Sequence, residues 1–385
     1  MKIIIAPDSY KESLPALAVA RAIEAGFRQV LPEADYRLCP MADGGEGTVQ
    51  SLVDATQGKI MQVRVTGPLG TPVDGFYGLL GDGKTAVIEM AAASGLDLVP
   101  TAKRNPMRTT SYGTGELITA ALDQGRTHLI IGIGGSATLD GGAGMLQALG
   151  IRLLDRQNQD IGLGGEALSD LARIDTTGLD PRLAQVCLEV ACDVDNPLCG
   201  PNGAARVFGP QKGATEAMIR QLDANLAHFA DCMATQHQCM VRDSPGAGAA
   251  GGMGAALMGL LNAHLQPGIE IVIRATGLAD IMSDADLVIT GEGRIDSQTI
   301  HGKTPIGVAR CAQQFNVAVI GIAGSLSQDH AIVFQHGLDA VFSVVNHPCD
   351  LAEALADGAQ NLTLTARNVA ALLVLGGQLS ALKSH

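Results

Sequence analysis

Tryptophan is absent from these 385 residues, and aromatic side chains make up only 3% of them. The sizeable core that a 46% hydrophobic share permits must therefore be mainly aliphatic. Basic residues are also short, 26 against 39 acidic ones, and the net charge of −13 argues against a nucleic-acid-binding surface as the main function. An anionic substrate remains compatible, because a local basic pocket can sit on an acidic protein. None of the eight cysteines forms a C-x-x-C pair or joins a nearby histidine in a zinc pattern, so buried free thiols in a reducing compartment are expected. No uninterrupted apolar run approaches the ~20 residues of a membrane helix. The amino terminus enters a strand directly, without the apolar stretch of a signal peptide. These shortages point to a soluble, cytoplasmic protein with no membrane or nucleic-acid partner.

What is abundant is glycine, 48 residues with no collagen-like period, which suits an α/β enzyme with many tight loops. The length allows two or three domains. Lys2–Ala6 and Tyr36–Pro40 read as strands, followed by helices over 14–30 and from Thr48 through Ala55. This is β-loop-α twice, the rhythm of a parallel sheet. The runs 60–66, 73–80 and 84–90, separated by tight-turn residues, then predict an antiparallel meander. Helix 113–124, strand 128–133, helix 141–149 and strand 183–191 follow, and 213–265 is mainly helical. From 286 the β-α rhythm returns, with strands 286–290, 317–322 and 339–345, helices 304–314 and 328–336, and further helices to the end. Two strands in front and three behind predict an α/β protein. A flavodoxin-like parallel-sheet domain, residues 1–58 and 280–385, would carry a second, mixed-sheet α/β domain, 59–279, inserted into it. The active site is expected in the cleft between them. There is no internal repeat.

The stretch Thr290–Thr304 joins a buried strand to a helix with Pro305 in its first turn, the position where open α/β sheets bind ligands. It holds Glu292, Arg294, Asp296, His301 and Lys303; His301 is the one histidine of nine inside such a loop. Gly132–Gly144 follows a strand and precedes a helix, so its backbone amides suit a phosphate. Pro245–Gly254 is read either as another anion-facing helix start or as close packing through small residues. Gly78–Thr85 matches G-x-x-x-x-G-K-[ST] letter for letter, but Asp82-Gly83 reads as a hairpin turn between strands, the wrong context for a P-loop. Asp8 with Lys11, Asp43 with Glu46, and Asp193 with Asp195 all follow predicted strands, and Lys212 lies in a glycine-bounded turn. Backbone amides, Lys and Arg around phosphates, carboxylates for Mg²⁺ and a base near a hydroxyl are the parts of phosphoryl transfer.

Taken together, Ala6–Ser13, Ala42–Thr48, Glu89–Leu96, Ser111–Glu116, Gly132–Gly144, Ala191–Gly200, Phe208–Gly213, Pro245–Gly254 and Thr290–Lys303 resemble the type I glycerate kinase family nearly end to end. One departure is Leu139, where the family pattern leads us to expect Asn. The resemblance implies the same inserted two-domain fold and ATP- and Mg²⁺-dependent phosphorylation of D-glycerate, at the 2-hydroxyl in bacterial relatives. On residue chemistry, the ATP phosphates are assigned to Gly134, Gly135, Ser136, Asp140 and Gly141, with Lys212 assisting. Mg²⁺ is assigned to Asp193 and Glu292. Asp8, Ser9, Arg294 and His301 are assigned to glycerate, Arg294 pairing with its carboxylate. Asp296 is expected as the base, and Lys11 and Lys303 as charge stabilisers. A homodimer is left open. A glycerate 3-kinase, a Rossmann-type NAD(P)-dependent hydroxyacid dehydrogenase using the Gly132 loop with Asp155 or Asp160 as ribose reader, and a non-catalytic sugar-acid-binding protein are the alternatives.

Overall fold

The computed structural model describes residues 1–383, in two compact units. The first comprises residues 1–43, 54–56 and the described residues from 272 on; the second comprises 44–53 and 57–271.

The first unit is built on five parallel strands in the order Ala340–Ser343, Ala318–Ala323, Leu287–Thr290, Lys2–Ile5, Asp35–Leu38. The sequence order 2-1-3-4-5 is that of flavodoxin-like sheets. The inner strands are continuous apolar runs, as expected where helices cover both faces of a parallel sheet. Ile3, Ile5, Ile289 and Ile322 share one core cluster with Ile23 and Phe27 of helix Ala16–Arg28 and Leu362 and Ala366 of the last helix, Gly358–Lys383. The expected helix over 328–336 is instead a chain of 3₁₀ turns, His330–His336. The last helix, by length and composition alone, is apolar enough over Gly358–Leu379 to cross a membrane. No uninterrupted apolar run marks it in the sequence, because Gln360, Asn361, Thr363 and Arg367 interrupt it. Its inner side packs in the core, and Leu364, Leu372, Leu375 and Leu379 are exposed.

The second unit holds a mixed six-stranded sheet, in the order His264–Gln266, Cys187–Ala191, His128–Gly132, Thr85–Glu89, Pro72–Leu79, Lys59–Thr66. The first four strands are mutually parallel and the last two are added antiparallel, so the meander extends a parallel sheet. Two short pieces were not foreseen, the His264–Gln266 edge strand and the Arg152–Leu154/Arg173–Asp175 pair. Three-residue strands are too short to show a period. The P-loop-like stretch is the hairpin between Pro72–Leu79 and Thr85–Glu89. Asp82 closes it by accepting the amides of Lys84 at 3.0 Å and Thr85 at 2.9 Å.

Candidate active site

In the first unit, the strands Lys2–Ile5 and Leu287–Thr290 run on as paired loops: Ala6 donates to Ile289 O and Asp8 to Gly291 O, both at 2.8 Å. Gly291 has to be glycine, because a Cβ there would lie 1.8 Å from the Ile322 carbonyl oxygen. That same carbonyl accepts the buried Tyr10 hydroxyl at 2.7 Å. Arg294–Ile295 then pairs in parallel with Ser325–Leu326, which fixes where Arg294 leaves the backbone.

This scaffold gathers most of the residues singled out in Thr290–Thr304. Asp8 accepts the Ser9 amide at 2.6 Å and the Thr304 hydroxyl at 2.5 Å. Thr304 opens helix Thr304–Gln313, so Asp8 sits at a helix amino terminus, which favours a carboxylate. Withdrawal from water, then repulsion from Asp43, pushes the Asp8 carboxyl up to about 7, against those two hydrogen bonds. Glu292 is buried; it accepts the Thr299 hydroxyl at 2.6 Å and pairs with Lys303 at 3.4 Å. Burial raises its carboxyl, the Thr299 and Lys303 contacts oppose this, and Asp43 adds repulsion. Asp296 pairs with the Arg294 guanidinium at 3.3 Å and accepts the Gln298 amide at 2.9 Å. The Arg294 side chain is 65% exposed and so open to an anion. Lys11 and His301 are exposed, the latter in the turn before the helix. Thr299, Thr304 and Tyr10 escaped the sequence reading, since a hydroxyl that serves a carboxylate carries no spacing signal of its own.

In the second unit, the loop after His128–Gly132 has an exposed lip and a buried root. Gly134 and Gly135 are exposed, whereas everything from Ser136 to Gly144 is buried. Asp140 lies wholly inside. It accepts the Ser111 amide and hydroxyl, both at 2.8 Å, and the amides of Gly142 at 3.1 Å and Gly144 at 3.3 Å. The Ser111 hydroxyl in turn accepts the Met145 amide at 3.0 Å, tying the loop to helix Tyr112–Asp123. Lys212 is 2% exposed and donates to the Ser136 hydroxyl at 2.6 Å and the Thr138 carbonyl at 2.7 Å. Desolvation draws its ammonium down to about 7, with Asp140 opposing. Leu139 is fully buried in the core of this unit, which accounts for an apolar residue at that position.

Pro245–Gly254 resolves into close packing. Its residues from Gly246 on are buried, and Ala250, Gly251 and Gly252 form a left-handed turn inside the Ala249–Leu261 helical segment. The Gly251 carbonyl accepts the Gly141 amide at 3.0 Å. Asp193 is exposed and its carboxylate accepts the Gly268 amide at 3.0 Å. It follows Cys187–Ala191, the strand paired with the one that leads into the glycine loop, so both leave the same edge of the sheet. Among the described residues, no group of three or more His, Cys, Asp and Glu side chains is arranged to hold a metal.

The glycerate kinase family model matches residues 3–374. A glycerate kinase from Bacillus subtilis (strain 168) is 63% identical over 375 residues, 97% of this chain and 98% of that protein. A glycerate 2-kinase from Escherichia coli (strain K12) is 59% identical over 376 residues, 98% and 99% of the two chains. A crystal structure described as a glycerate kinase 2 from Salmonella typhimurium LT2 superimposes with a TM-score of 0.92 at 60% identity, covering 98% of this chain and 99% of that one.

Proposed function

Because the chain belongs to the glycerate kinase family, we propose that it transfers the γ-phosphoryl group of ATP to D-glycerate, at the 2-hydroxyl, giving 2-phosphoglycerate and ADP. The name of the Escherichia coli relative supports the 2-hydroxyl over the 3-hydroxyl. The observation that carries the reading is the loop Gly134–Gly144, an exposed glycine lip on a rigid buried root, of the kind that cradles phosphates.

Arg294 meets the glycerate carboxylate as a two-pronged donor, oriented by Asp296. Asp8 is the better base for the hydroxyl proton, since a carboxyl held near 7 is matched to proton transfer at neutral pH. Asp296, the base favoured from the sequence, is paired with the Arg294 guanidinium, which suits it to orienting that group. Lys303 and Lys11 supply positive charge for the transferring group, Lys303 from its pairing with Glu292. Ser9 and His301 complete the glycerate side of this reading.

Mg²⁺ arrives with the nucleotide. It takes one or two protein carboxylates besides phosphate oxygens and water, and an exposed carboxylate oriented by a backbone amide, as Asp193 is, suits it. When bound it would offset the charge of the phosphates. Glu292 is the other carboxylate considered for it, though its oxygens already serve Thr299 and Lys303.

The test is to incubate the protein with D-glycerate, ATP and Mg²⁺ and couple the product to enolase without phosphoglycerate mutase. Immediate enolase-dependent signal is expected. Signal only after adding mutase would make it a 3-kinase, and no ADP release would reject the kinase reading.

A further inference from the structure

A lysine whose ammonium is as thoroughly buried as that of Lys212 calls for a reason. Its side chain ends on the root of the glycine loop, with one hydrogen bond to a side chain, Ser136 Oγ, and one to the backbone, Thr138 O. Charge-assisted bonds of this length are the strong kind. The residue that supplies it stands in the turn Pro210–Lys212, far along the chain from the loop it holds. Its neighbour Gly213 packs against the Arg104 carbonyl, and Arg104 donates to the Gln211 carbonyl at 3.2 Å, so the turn is itself fastened. From the other side Asp140 gathers the amides of Gly142 and Gly144, and the Gly251 carbonyl holds that of Gly141. The loop is thus gripped at its root by one buried cation, one buried anion and one backbone carbonyl. Only Gly134 and Gly135, next to Ser136, reach solvent.

We propose that Lys212 is a positioning residue for the nucleotide: it touches no phosphate, and instead fixes Ser136 and Thr138 from the buried side so that the Gly134–Gly135 lip stays in its phosphate-binding form. This rests on the reading of the loop as the nucleotide site. It also separates the role of Lys212 from that of an ordinary phosphate-binding lysine, whose ammonium would have to be within reach of solvent.

The experiment is calorimetric titration of the full chain and its variants with MgADP and, separately, with D-glycerate, alongside thermal unfolding and KM for ATP. Lys212→Met keeps the length and removes both bonds and the charge. Its MgADP affinity should fall roughly tenfold or more, the size expected for hydrogen bonds from a charged group. KM for ATP should rise in parallel, while D-glycerate affinity stays within about twofold of the parent. Ser136→Ala, which removes one acceptor and leaves the lysine, should weaken MgADP a few-fold. Unchanged MgADP affinity in Lys212→Met would overturn the proposal, and so would equal losses for MgADP and D-glycerate, the pattern of a purely structural residue. If Lys212→Met does not fold, Ser136→Ala decides, and unchanged MgADP affinity there overturns it. Failure of the parent protein to bind MgADP at all would instead reject the underlying reading of the loop.

Discussion

Gly251→Ala tests whether the proposed nucleotide loop, Gly134–Gly144, depends on the left-handed turn packed against it. Gly251 has φ +69°, and a Cβ added there would lie 1.9 Å from the Thr138 carbonyl oxygen, about 1.5 Å inside ordinary contact. The opposing atom is backbone, so no side chain can swing away. Three terms add. A left-handed alanine costs about 1–2 kcal/mol. Forcing the loop away from a packed neighbour costs about 1–3 kcal/mol. Pulling the Gly251 carbonyl off the Gly141 amide leaves a buried donor unpaired, at about 1–3 kcal/mol. The total, roughly 3–8 kcal/mol, is a large share of the stability of a domain. Gly125→Ala is the control, because Gly125 has the same φ of +69° with nothing within 4 Å of its Cβ. It should lose only the backbone term, about 1–2 kcal/mol. Urea unfolding midpoints of the two variants at matched slope measure the difference. MgADP titration under native conditions should show weakened binding in Gly251→Ala alone. Two variants equal to within about 1 kcal/mol would refute the reasoning, since the contact with Thr138 would then carry no energy.

Asp8→Asn should reduce kcat about 10²-fold or more with KM for ATP little changed, whereas Asp296→Asn should act mainly on KM for D-glycerate through Arg294; steady-state kinetics showing the reverse would return the base to Asp296. The raised carboxyl of Asp8 also predicts a stability profile. The folded chain holds that proton more tightly than the unfolded one, so the contribution of Asp8 is full below about 4 and is lost as pH rises through about 7. Asp8→Asn should therefore melt higher than the parent at pH 8, with the gap closing towards pH 4; a constant gap across that range would contradict the burial argument. Lys84→Ala, in the hairpin that imitates a P-loop, should leave kcat and KM for ATP unchanged, and a tenfold rise in KM would reopen that match.

The fold was largely legible because its two textures differ in period. Apolar runs such as Ile3–Ile5 and Val319–Ile322, alternating with helices, announce a parallel sheet, and the turn-separated runs over 60–90 announce antiparallel strands. Both signals are local, so they survive without knowledge of the tertiary structure. The edge strand His264–Gln266 had no such signal. It exists because Cys187–Ala191 offers a free parallel edge at that place, which only the folded sheet supplies.

The site was legible as a set of loops and much less as a set of roles. Sequence position put Asp8, Glu292, Asp296, Asp140 and Lys212 at strand ends and turns alike, and charge at such places reads as ligand-binding by default. The structure divides them by depth. Arg294 stays in solvent, Asp8 and Glu292 sit where burial works against their ionisation, and Asp140 and Lys212 lie behind the loop with their polar atoms spent on its backbone and hydroxyls. Depth is a property of what packs on top, and for Lys212 the partners are residues 136 and 138, more than 70 positions away. No period or motif encodes such a pairing. Leu139 makes the same point from the apolar side. Within a loop of small and polar residues it looks like a departure, yet between the buried Thr138 and Asp140 it belongs to the core, and the loop root is hydrophobic on one side and tied by the hydrogen bonds of Asp140 and Lys212 on the other.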